Sequence, residues 1–291
     1  MRNWLELPAF AKVNLGLELI ARRPDRYWEI RTVYQTIGLC DRLRLRLRRA
    51  HTDIRLCVAS AVVAAGRNNL VWQALALGRR RFGIRQGVEL ELEKNIPVAR
   101  GLGGGSSDAA VALLGLLRLT RQQVELQELV RLGAGLGADV PFFFLGGCAL
   151  GVGRGDEVYP VNDLPRAYCV LVCPPLPIPT RQAYAWAAGQ RLTPARPMAT
   201  IARSRAPAFG NDFEPVVFAR FPELARIKRL LVAAGAQVVR LAGSGSTIFG
   251  LFRQRAPAEA LLQRFPQAEA VFLTETVSRR RYQQALGWRP E

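Results

Sequence analysis

The sequence predicts a mixed fold of β-strands and α-helices, arranged in one large or two medium-sized domains. Its 291 residues are 49% hydrophobic, which is enough to fill a sizeable core. Residues 9–20 alternate between apolar and polar side chains, as a half-buried strand does. At one third of the chain, a strand-like segment at 88–92 leads through a glycine-rich bend into an Ala- and Leu-rich helix. A turn-rich segment at 151–157 is predicted to separate an N-terminal unit, residues 1–155, from a C-terminal unit, residues 156–291.

The first predicted strand, residues 9–20, places Lys12 and Asn14 next to each other on its polar face. The local pattern alone favours a solvent-exposed polar face. A second interpretation comes from the cations of the chain, which are almost all arginine; the only lysines are Lys12, Lys94 and Lys228. A lysine kept among so many arginines suggests a role that a planar guanidinium cannot fill. Lys12 is therefore a candidate functional residue.

The segments that follow complete the first half of the chain. After a turn at residues 23–26, two separate strands are predicted at 31–37 and 43–47, and a helix begins at Asn69. A further helix is predicted over 121–132. It ends in a glycine-rich region that leads to Asp139 and then to an apolar run. Asp139 fits either a turn or helix-capping aspartate or a functional carboxylate.

The second half begins with an apolar strand at 168–173. Residues 194–209 are poor in large apolar side chains, which predicts an exposed loop or a short helix. A helix near 221–234 and a strand at 238–241 lead into a second bend of small residues, 242–250. The chain then ends as helix, strand and a short basic helix, and it contains no internal repeat.

The glycine-rich stretch at residues 97–110 carries the strongest functional signal. Glycines remove the Cβ atoms from a tight bend, so that backbone amides can approach a ligand closely. Because a helix begins at the end of this stretch, its free amides and dipole favour an anion, and the stretch is predicted to bind phosphate. The alternative is a flexible turn. No lysine follows the glycines, so the stretch is not a Walker A motif, and it is not a Gly-x-Gly-x-x-Gly directly after the first strand of its unit, as a dinucleotide fingerprint would be.

Composition argues against several classes of protein. The five cysteines are odd in number and form no Cys-x-x-Cys pair, which favours buried reduced thiols over disulfides or a zinc site. The single histidine, His51, lies in a polar turn and is predicted to be a surface residue, so a histidine-based triad is not expected. Neither an apolar run of about 20 residues nor a signal-peptide pattern is present, and a soluble, cytoplasmic protein without a membrane partner is expected.

The net charge of +18 raises the alternative of a basic nucleic-acid-binding protein. The basic residues are spread along the chain apart from short groups such as 79–81 and 279–281, and they form no low-complexity tail. This distribution makes nucleic acid an unlikely partner but leaves the alternative open. The sequence predicts no particular oligomeric state.

Three segments together resemble the GHMP family of small-molecule kinases. They are Ala-Lys-Val-Asn-Leu at 11–15, Pro-x-x-x-Gly-Leu-Gly-Gly-Gly-Ser-Ser-Asp-Ala-Ala at 97–110, and Gly-Ser-Gly-Ser at 243–246. Shorter supporting segments extend the resemblance over nearly the whole chain; they lie at 69–70, 137–141, 153–155, 178–180 and 211–214. The resemblance implies an α+β fold of two lobes with the active site in the cleft between them. It also implies ATP and Mg²⁺ as cofactors and a small molecule as phosphate acceptor.

The resemblance further implies roles for individual residues. Lys12 and Asp139 correspond to the catalytic lysine and aspartate of the family. The positions implied to bind ATP are Asn69 and the loop residues Pro97, Val98, Ala99, Arg100, Gly101, Leu102, Gly103, Gly104, Gly105, Ser106 and Ser107. Ser107 is also the candidate ligand for Mg²⁺. The positions implied to hold a cytidine-containing acceptor are Asn14, Tyr27, Trp28, Thr180, Gly243 and Ser244.

These residue types suit phosphoryl transfer, which depends mainly on positioning and charge neutralisation. Asp139 can accept the proton of an acceptor hydroxyl, and a nearby Lys12 can stabilise the developing negative charge. The chain departs from the family at Arg26 and Trp28, which replace the usual glycine and histidine of the substrate turn. Trp28 can stack on a pyrimidine but cannot hydrogen-bond as an imidazole does. A GHMP kinase acting on another alcohol, such as mevalonate, homoserine or a sugar, is therefore kept as an alternative.

Overall fold

We describe the chain from a computed structural model that covers residues 4–48, 50–60, 63–188 and 209–288. Most of the segment predicted as an exposed loop, 194–208, lies outside these residues, whereas Phe209 at its end is buried. The described residues form two β-sheets with helices packed on them. None of the described helices combines the length and the apolar character that a membrane crossing requires.

The first sheet is built around one long strand. Its members are β1 (Leu5–Arg22), β2 (Trp28–Arg48), β3 (Ile54–Ala59), β4 (Gly87–Glu93), β5 (Cys148–Val152) and β6 (Glu157–Pro160). Strand β2 pairs with β1 along one edge, and on its other edge it pairs with β4 through residues 42–48 and with β5 through residues 32–35. Strand β3 runs parallel to β4, and β6 runs antiparallel to β5.

The second sheet is antiparallel and has the strand order β10-β7-β9-β8. Its members are β7 (Tyr168–Cys173), β8 (Val238–Leu241), β9 (Ile248–Phe252) and β10 (Ala270–Glu275). The helices of the first half are α1 (Leu70–Arg81), α2 (Gly104–Thr120), α3 (Leu126–Ala134) and α4 (Phe142–Leu145). Those of the second half are α5 (Thr180–Ala187), α6 (Glu214–Arg220), α7 (Pro222–Ala233), α8 (Arg255–Glu259) and α9 (Arg279–Leu286).

Several predicted elements have different bounds in the structure. The two strands predicted at 31–37 and 43–47 are one strand, β2, because β1 is long enough to pair with both halves across a register shift at Phe10/Ala11. The helix predicted from residue 121 begins only at Leu126, since Arg121 ends α2 in a left-handed conformation with φ 54°. Conversely, α2 begins at Gly104, inside the glycine run, instead of near Ala109.

Strand β1 is buried on both faces, which makes the interpretation of an exposed polar face wrong. Ala11, Val13 and Leu15 pack against the inner face of the second sheet in one apolar cluster. Lys12 and Asn14 point to the opposite side, as predicted, but they are only 3% and 2% exposed. The second sheet covers one face of β1, and the glycine-rich stretch lies against the other. With both faces covered, the polar side chains of β1 are enclosed beneath the glycine-rich stretch instead of facing solvent.

The division of the chain at residue 155 stays a prediction, although the two sheets suggest two refinements. Strand β6 pairs with β5, so the first sheet continues to Pro160. Helix α9 belongs to the core of the first unit, where its Tyr282 and Leu286 pack with residues of α2 and α4. His51 is exposed as predicted. Among the cysteines predicted to be buried, Cys57 is exposed and Cys40 is half-buried.

Candidate active site

A cleft of about 1130 Å³ lies where the glycine-rich stretch meets residues of the first sheet and residues of the second half of the chain, among them the bend at 243–244 and helix α5. Every residue predicted to be functional lines this cleft except Ser107. The cleft also contains residues that sequence reasoning did not select: Arg22, Tyr34, Lys94, Arg154, Arg181 and Tyr184. The geometry thus brings together positions as distant in the sequence as Lys12 and Ser244.

The glycine-rich stretch forms the end of the cleft at which α2 begins. Gly103 caps this helix with φ 71°, and the helix starts at Gly104. The first amides of a helix have no partner within it, so they can face an anionic ligand. Gly101, with φ 80°, lies so close to the second bend that an added Cβ would be 1.9 Å from the carbonyl oxygen of Ala242. The two glycine bends are therefore packed backbone against backbone.

Gly101→Ala is expected to disrupt this packing and to remove most nucleotide binding. The new methyl group would collide with backbone atoms, and alanine also disfavours the left-handed conformation. The control is Gly83→Ala, because Gly83 has a similar φ of 63° but nothing within 4 Å of the added Cβ. Thermal melting and ATP titration compare the two variants. Equal melting temperatures and equal ATP affinities would contradict the close packing of the two bends.

Lys12 and Asp139 form an ion pair in the middle of the cleft, with Lys12 Nζ 3.2 Å from Asp139 Oδ2. The side chain of Lys12 is only 4% exposed, whereas that of Asp139 is 30% exposed. Asp139 lies in the turn between α3 and α4 and does not cap α4, which begins after Pro141. The carboxylate is therefore open to a ligand in the cleft, and the buried ammonium forms an ion pair with it.

A chain of hydrogen bonds holds Lys12 in place. Its Nζ donates to Asn14 Oδ1 at 2.9 Å, and Asn14 Nδ2 donates to Thr32 Oγ1 at 2.8 Å. The Thr32 hydroxyl in turn donates to the carbonyl of Gly16 at 2.8 Å. Asn14, predicted to contact the acceptor, lines the cleft but uses its amide to orient Lys12. Its role toward a substrate stays a prediction.

Lys94 lies beneath the start of α2 between two buried carboxylates. Its Nζ bonds Asp108 Oδ2 at 2.7 Å and also pairs with Asp41. Burial raises the pKa of Asp108 well above its usual range, and the neighbouring Asp41 carboxylate raises it further, while Lys94 opposes the rise. Burial lowers the pKa of Lys94, but the two carboxylates outweigh this and leave that pKa above its usual value. The single positive charge of Lys94 can therefore offset the charge of only one of the two carboxylates.

Asp108→Asn is expected to raise the melting temperature, and by more at pH 8 than at pH 4. The pKa of Asp108 is raised on folding, so its stabilising contribution is complete below about pH 4 and is lost as pH rises through the folded-state value. An amide is neutral at every pH and can still accept from Lys94. Melting curves across this pH range check the result, with Asp53→Asn at the exposed Arg48–Asp53 pair as control. A gain that does not grow with pH would contradict the assignment.

Aromatic and basic side chains line the parts of the cleft that come from the β1–β2 turn, the β5–β6 turn and α5. Tyr27 is 57% exposed, and the guanidinium of Arg154 lies 5.0 Å from the centre of its ring. Trp28, predicted to stack on a base, is only 6% exposed and lies against Tyr184 at a ring separation of 6.3 Å. The aromatic face most open to a ligand therefore belongs to Tyr27. Together with the arginines at positions 22, 26 and 181, these side chains form an aromatic and basic wall of the cleft.

Several of the remaining predicted positions already have hydrogen-bond or ion-pair partners within the chain. Ser244 Oγ donates to Thr180 Oγ1 at 3.1 Å, which joins the second glycine bend to the start of α5. Asn69 caps α1 by accepting from Val71 N at 2.8 Å and donates to Ala64 O. Arg100 pairs with Glu269, although its Nε and Nη1 are buried without a described partner. Arg100 thus ties the glycine-rich stretch to the C-terminal half.

The structure does not support Ser107 as a metal ligand. Its side chain is fully buried, and it does not line the cleft. The neighbouring Ser106 does line the cleft, and its Oγ lies 3.8 Å from the Cβ position of Gly137, two residues before Asp139. Within the described ranges, no three His, Cys, Asp or Glu side chains gather into a metal-binding group. One carboxylate and one hydroxyl fit Mg²⁺ that is held mainly by phosphate oxygens.

Comparison with known proteins identifies the class to which this fold and cleft belong. Residues 69–147 match the description "GHMP kinases N terminal domain", and residues 187–270 match "GHMP kinases C terminal". The chain belongs to the GHMP kinase family, and it is an ATP-dependent phosphotransferase with an α+β fold. The fold class and the enzyme class predicted from the sequence are confirmed.

Individual relatives and solved structures show which proteins the chain is similar to. The chain is 39% identical to 4-diphosphocytidyl-2-C-methyl-D-erythritol kinase of Solibacter usitatus, over 95% of this chain and 90% of the relative. A crystal structure of 4-(cytidine 5'-diphospho)-2C-methyl-D-erythritol kinase matches with a TM-score of 0.81 and 34% identity, covering 94% of this chain and 99% of that one. A homoserine kinase from Cytophaga hutchinsonii shares the fold at a TM-score of 0.71 with 18% identity, covering 96% of each chain.

Proposed function

We propose that this chain transfers the γ-phosphate of ATP to a hydroxyl group of 4-diphosphocytidyl-2-C-methyl-D-erythritol, a step of non-mevalonate isoprenoid biosynthesis. The observation that carries the proposal is that one cleft of about 1130 Å³ brings together three kinds of group. The glycine-rich stretch, the Lys12–Asp139 pair and the aromatic and basic wall all line it. This combination suits a nucleoside triphosphate that meets an acceptor with a base and a diphosphate of its own.

Each part of the cleft has a physical role in this reaction. The amides at the start of α2 and the loop glycines bind the phosphates of ATP. Asp139 takes the proton of the acceptor hydroxyl, and Lys12 stabilises the charge that develops between the attacking oxygen and the transferred phosphoryl group. Their hydrogen-bonded supports fix both groups before the acceptor arrives, so little reorganisation is needed during transfer.

A magnesium ion bound with ATP neutralises phosphate charge in this kind of chemistry. We propose that Ser106 and Asp139 are the protein groups nearest to it, in place of Ser107. Lys94 lies near the start of α2, where an added Cβ at Gly104 would be 3.3 Å from Lys94 Nζ, but its charge is already paired with Asp41 and Asp108. Most of the charge that balances the triphosphate would therefore come from the loop amides, Lys12 and the ion.

The acceptor is tested by a coupled assay of ATP consumption with a panel of alcohols. Turnover of the cytidyl substrate is expected, with mevalonate, homoserine and simple sugars at least 100-fold poorer in kcat/KM, because none of them can fill the aromatic and basic wall. Turnover of one of these smaller alcohols instead would favour the alternative acceptor. Salt-dependent binding to duplex and single-stranded nucleic acid tests the remaining alternative.

Tyr27→Ala is expected to raise KM for the cytidyl substrate about tenfold while changing KM for ATP little, because stacking on a base is worth about 1–3 kcal/mol. The control is Tyr159→Ala, since Tyr159 is similarly exposed at 53% but lies on β6 outside the cleft. Trp28→Ala would not separate an effect on binding from an effect on stability, because the indole belongs to an apolar core cluster. An equal rise of both KM values in Tyr27→Ala would argue against base stacking.

A further inference from the structure

Tyr34 is a fully buried tyrosine whose hydroxyl group reaches Asp139. It lies on β2, opposite Asn14 in the pairing with β1. Its hydroxyl is 3.0 Å from Asp139 Oδ1 and 3.2 Å from the carbonyl oxygen of Gly155. Both neighbours are acceptors, so the single phenolic proton is shared between them. Asp139 is consequently bound on both oxygens, by Tyr34 at Oδ1 and by Lys12 at Oδ2.

The surroundings of Tyr34 hold the ring firmly in this orientation. The ring packs against Phe142 with centroids 4.9 Å apart, and Lys12 Nζ lies 5.5 Å from its centre. Two glycines of the β5–β6 hairpin make room for it: an added Cβ would be 2.6 Å from the ring at Gly151 and 2.6 Å from the hydroxyl at Gly155. The hairpin is thus shaped around the tyrosine.

Burial raises the pKa of Tyr34 well above its usual range, and the Asp139 carboxylate raises it further. The phenol therefore remains a hydrogen-bond donor throughout the physiological range. The other titratable groups that bear on it are Tyr184 of α5 and Asp156 of the β5–β6 turn, and Asp156 is itself paired with Arg154. No competing donor to Asp139 Oδ1 occurs among the described residues.

We propose that Tyr34 is a positioning residue of the kinase reaction, which fixes the rotation of the Asp139 carboxylate so that it faces the acceptor hydroxyl. This inference rests on the role proposed above for Asp139. Lys12 alone holds one oxygen and leaves the carboxylate free to rotate about its terminal bond. With Tyr34 at the other oxygen, the plane of the carboxylate is fixed. Small misplacements of a reacting group cost up to about 100-fold in rate, so this second contact has a measurable value.

The test compares Tyr34→Phe with Tyr282→Phe. Tyr282 is also fully buried, and its hydroxyl donates to the carbonyl of Phe143 at 2.5 Å, outside the cleft. Each variant loses one buried hydrogen bond, so both should melt at a lower temperature by similar amounts. Only Tyr34→Phe is expected to lower kcat, by about tenfold, with both KM values nearly unchanged. A kcat equal to that of the parent chain in Tyr34→Phe would overturn the proposal, as would an equal loss in Tyr282→Phe.

A double-mutant cycle separates a positioning role from a general structural one. If Tyr34 acts through Asp139, Tyr34→Phe should have almost no further effect on kcat in an Asp139→Asn background. A tenfold loss that persists in this background would refute action through Asp139. Full activity of Asp139→Asn alone would instead refute the proposed function of Asp139. Loss of activity in Asp139→Asn with a fully active Tyr34→Phe would refute only the role of Tyr34.

Discussion

Replacing Asp139 with asparagine is expected to lower kcat by about 100- to 10,000-fold, the usual contribution of a positioned general base. The amide has nearly the shape of the carboxylate and can still accept from Tyr34, but it cannot take a proton from the acceptor hydroxyl. KM for ATP should change little, because the phosphates are bound by the glycine-rich stretch. Steady-state kinetics with varied ATP and acceptor measure both effects.

The matched control for this variant is Asp212→Asn. Asp212 lies outside the cleft, and its Oδ2 accepts from the backbone of Leu19 at 2.8 Å. This substitution should cost some stability and leave kcat near that of the parent chain. An Asp139→Asn enzyme with a normal melting temperature and nearly normal turnover would show that this aspartate is not the base.

Replacing Lys12 is expected to have an effect of similar size, about 100- to 1,000-fold in kcat, since preorganised charge at the transition state has this worth. Lys12→Met removes the charge from a site where the ammonium is almost fully enclosed. Lys12→Arg keeps the charge but should also be inactive, because the stem is confined. An added Cβ at Gly103 would be 2.9 Å from Lys12 Cγ, and one at Gly243 would be 3.5 Å from Lys12 Nζ. We therefore expect the wider, planar guanidinium to be displaced from the position that the ammonium occupies beside these two glycines.

Lys228→Met provides the control for Lys12. Lys228 forms an ion pair with Glu214 at 2.5 Å and does not line the cleft. Its loss should affect stability alone, which thermal melting and kinetics together can verify. If Lys12→Arg retained full turnover, positive charge would be sufficient and the argument from confinement would be wrong. If Lys12→Met retained it, the role of Lys12 itself would be refuted.

Most of the helices and strands could be predicted from the chain because their patterns are local. Strand β1 follows from its alternation, and α2 follows from its alanines and leucines. The first and last residues of an element are harder to predict where they depend on pairing with a distant segment of the chain. The union of two predicted strands into β2 depends on the length of β1, and no window within 31–47 reveals that length.

The residues of the candidate site likewise include some that can be predicted from a local sequence pattern and some that cannot. The glycine-rich stretch and Lys12 carry their own signals, the first in its backbone freedom and the second in being one of three lysines among arginines. Tyr34 carries no such signal. It occupies an ordinary position of an alternating strand, and only the meeting of β2 with the Asp139 turn gives its hydroxyl a partner. Ser106 and Ser107 are adjacent and chemically identical, and the helical rotation alone decides which of them lines the cleft.

By itself, the sequence determined that a phosphate-binding bend enters a helix and that the chain resembles one kinase family. The first property depends on residue type and on neighbours within a few positions, and the second depends on short motifs at 11–15, 97–110 and 243–246. The tertiary structure decided that Lys12 is buried, that Tyr27 is more open than Trp28, and that Asp139 is held on both oxygens. These outcomes depend on the two glycine bends enclosing Lys12 and on turns that meet across the cleft, and such contacts between distant segments leave no local trace in the chain.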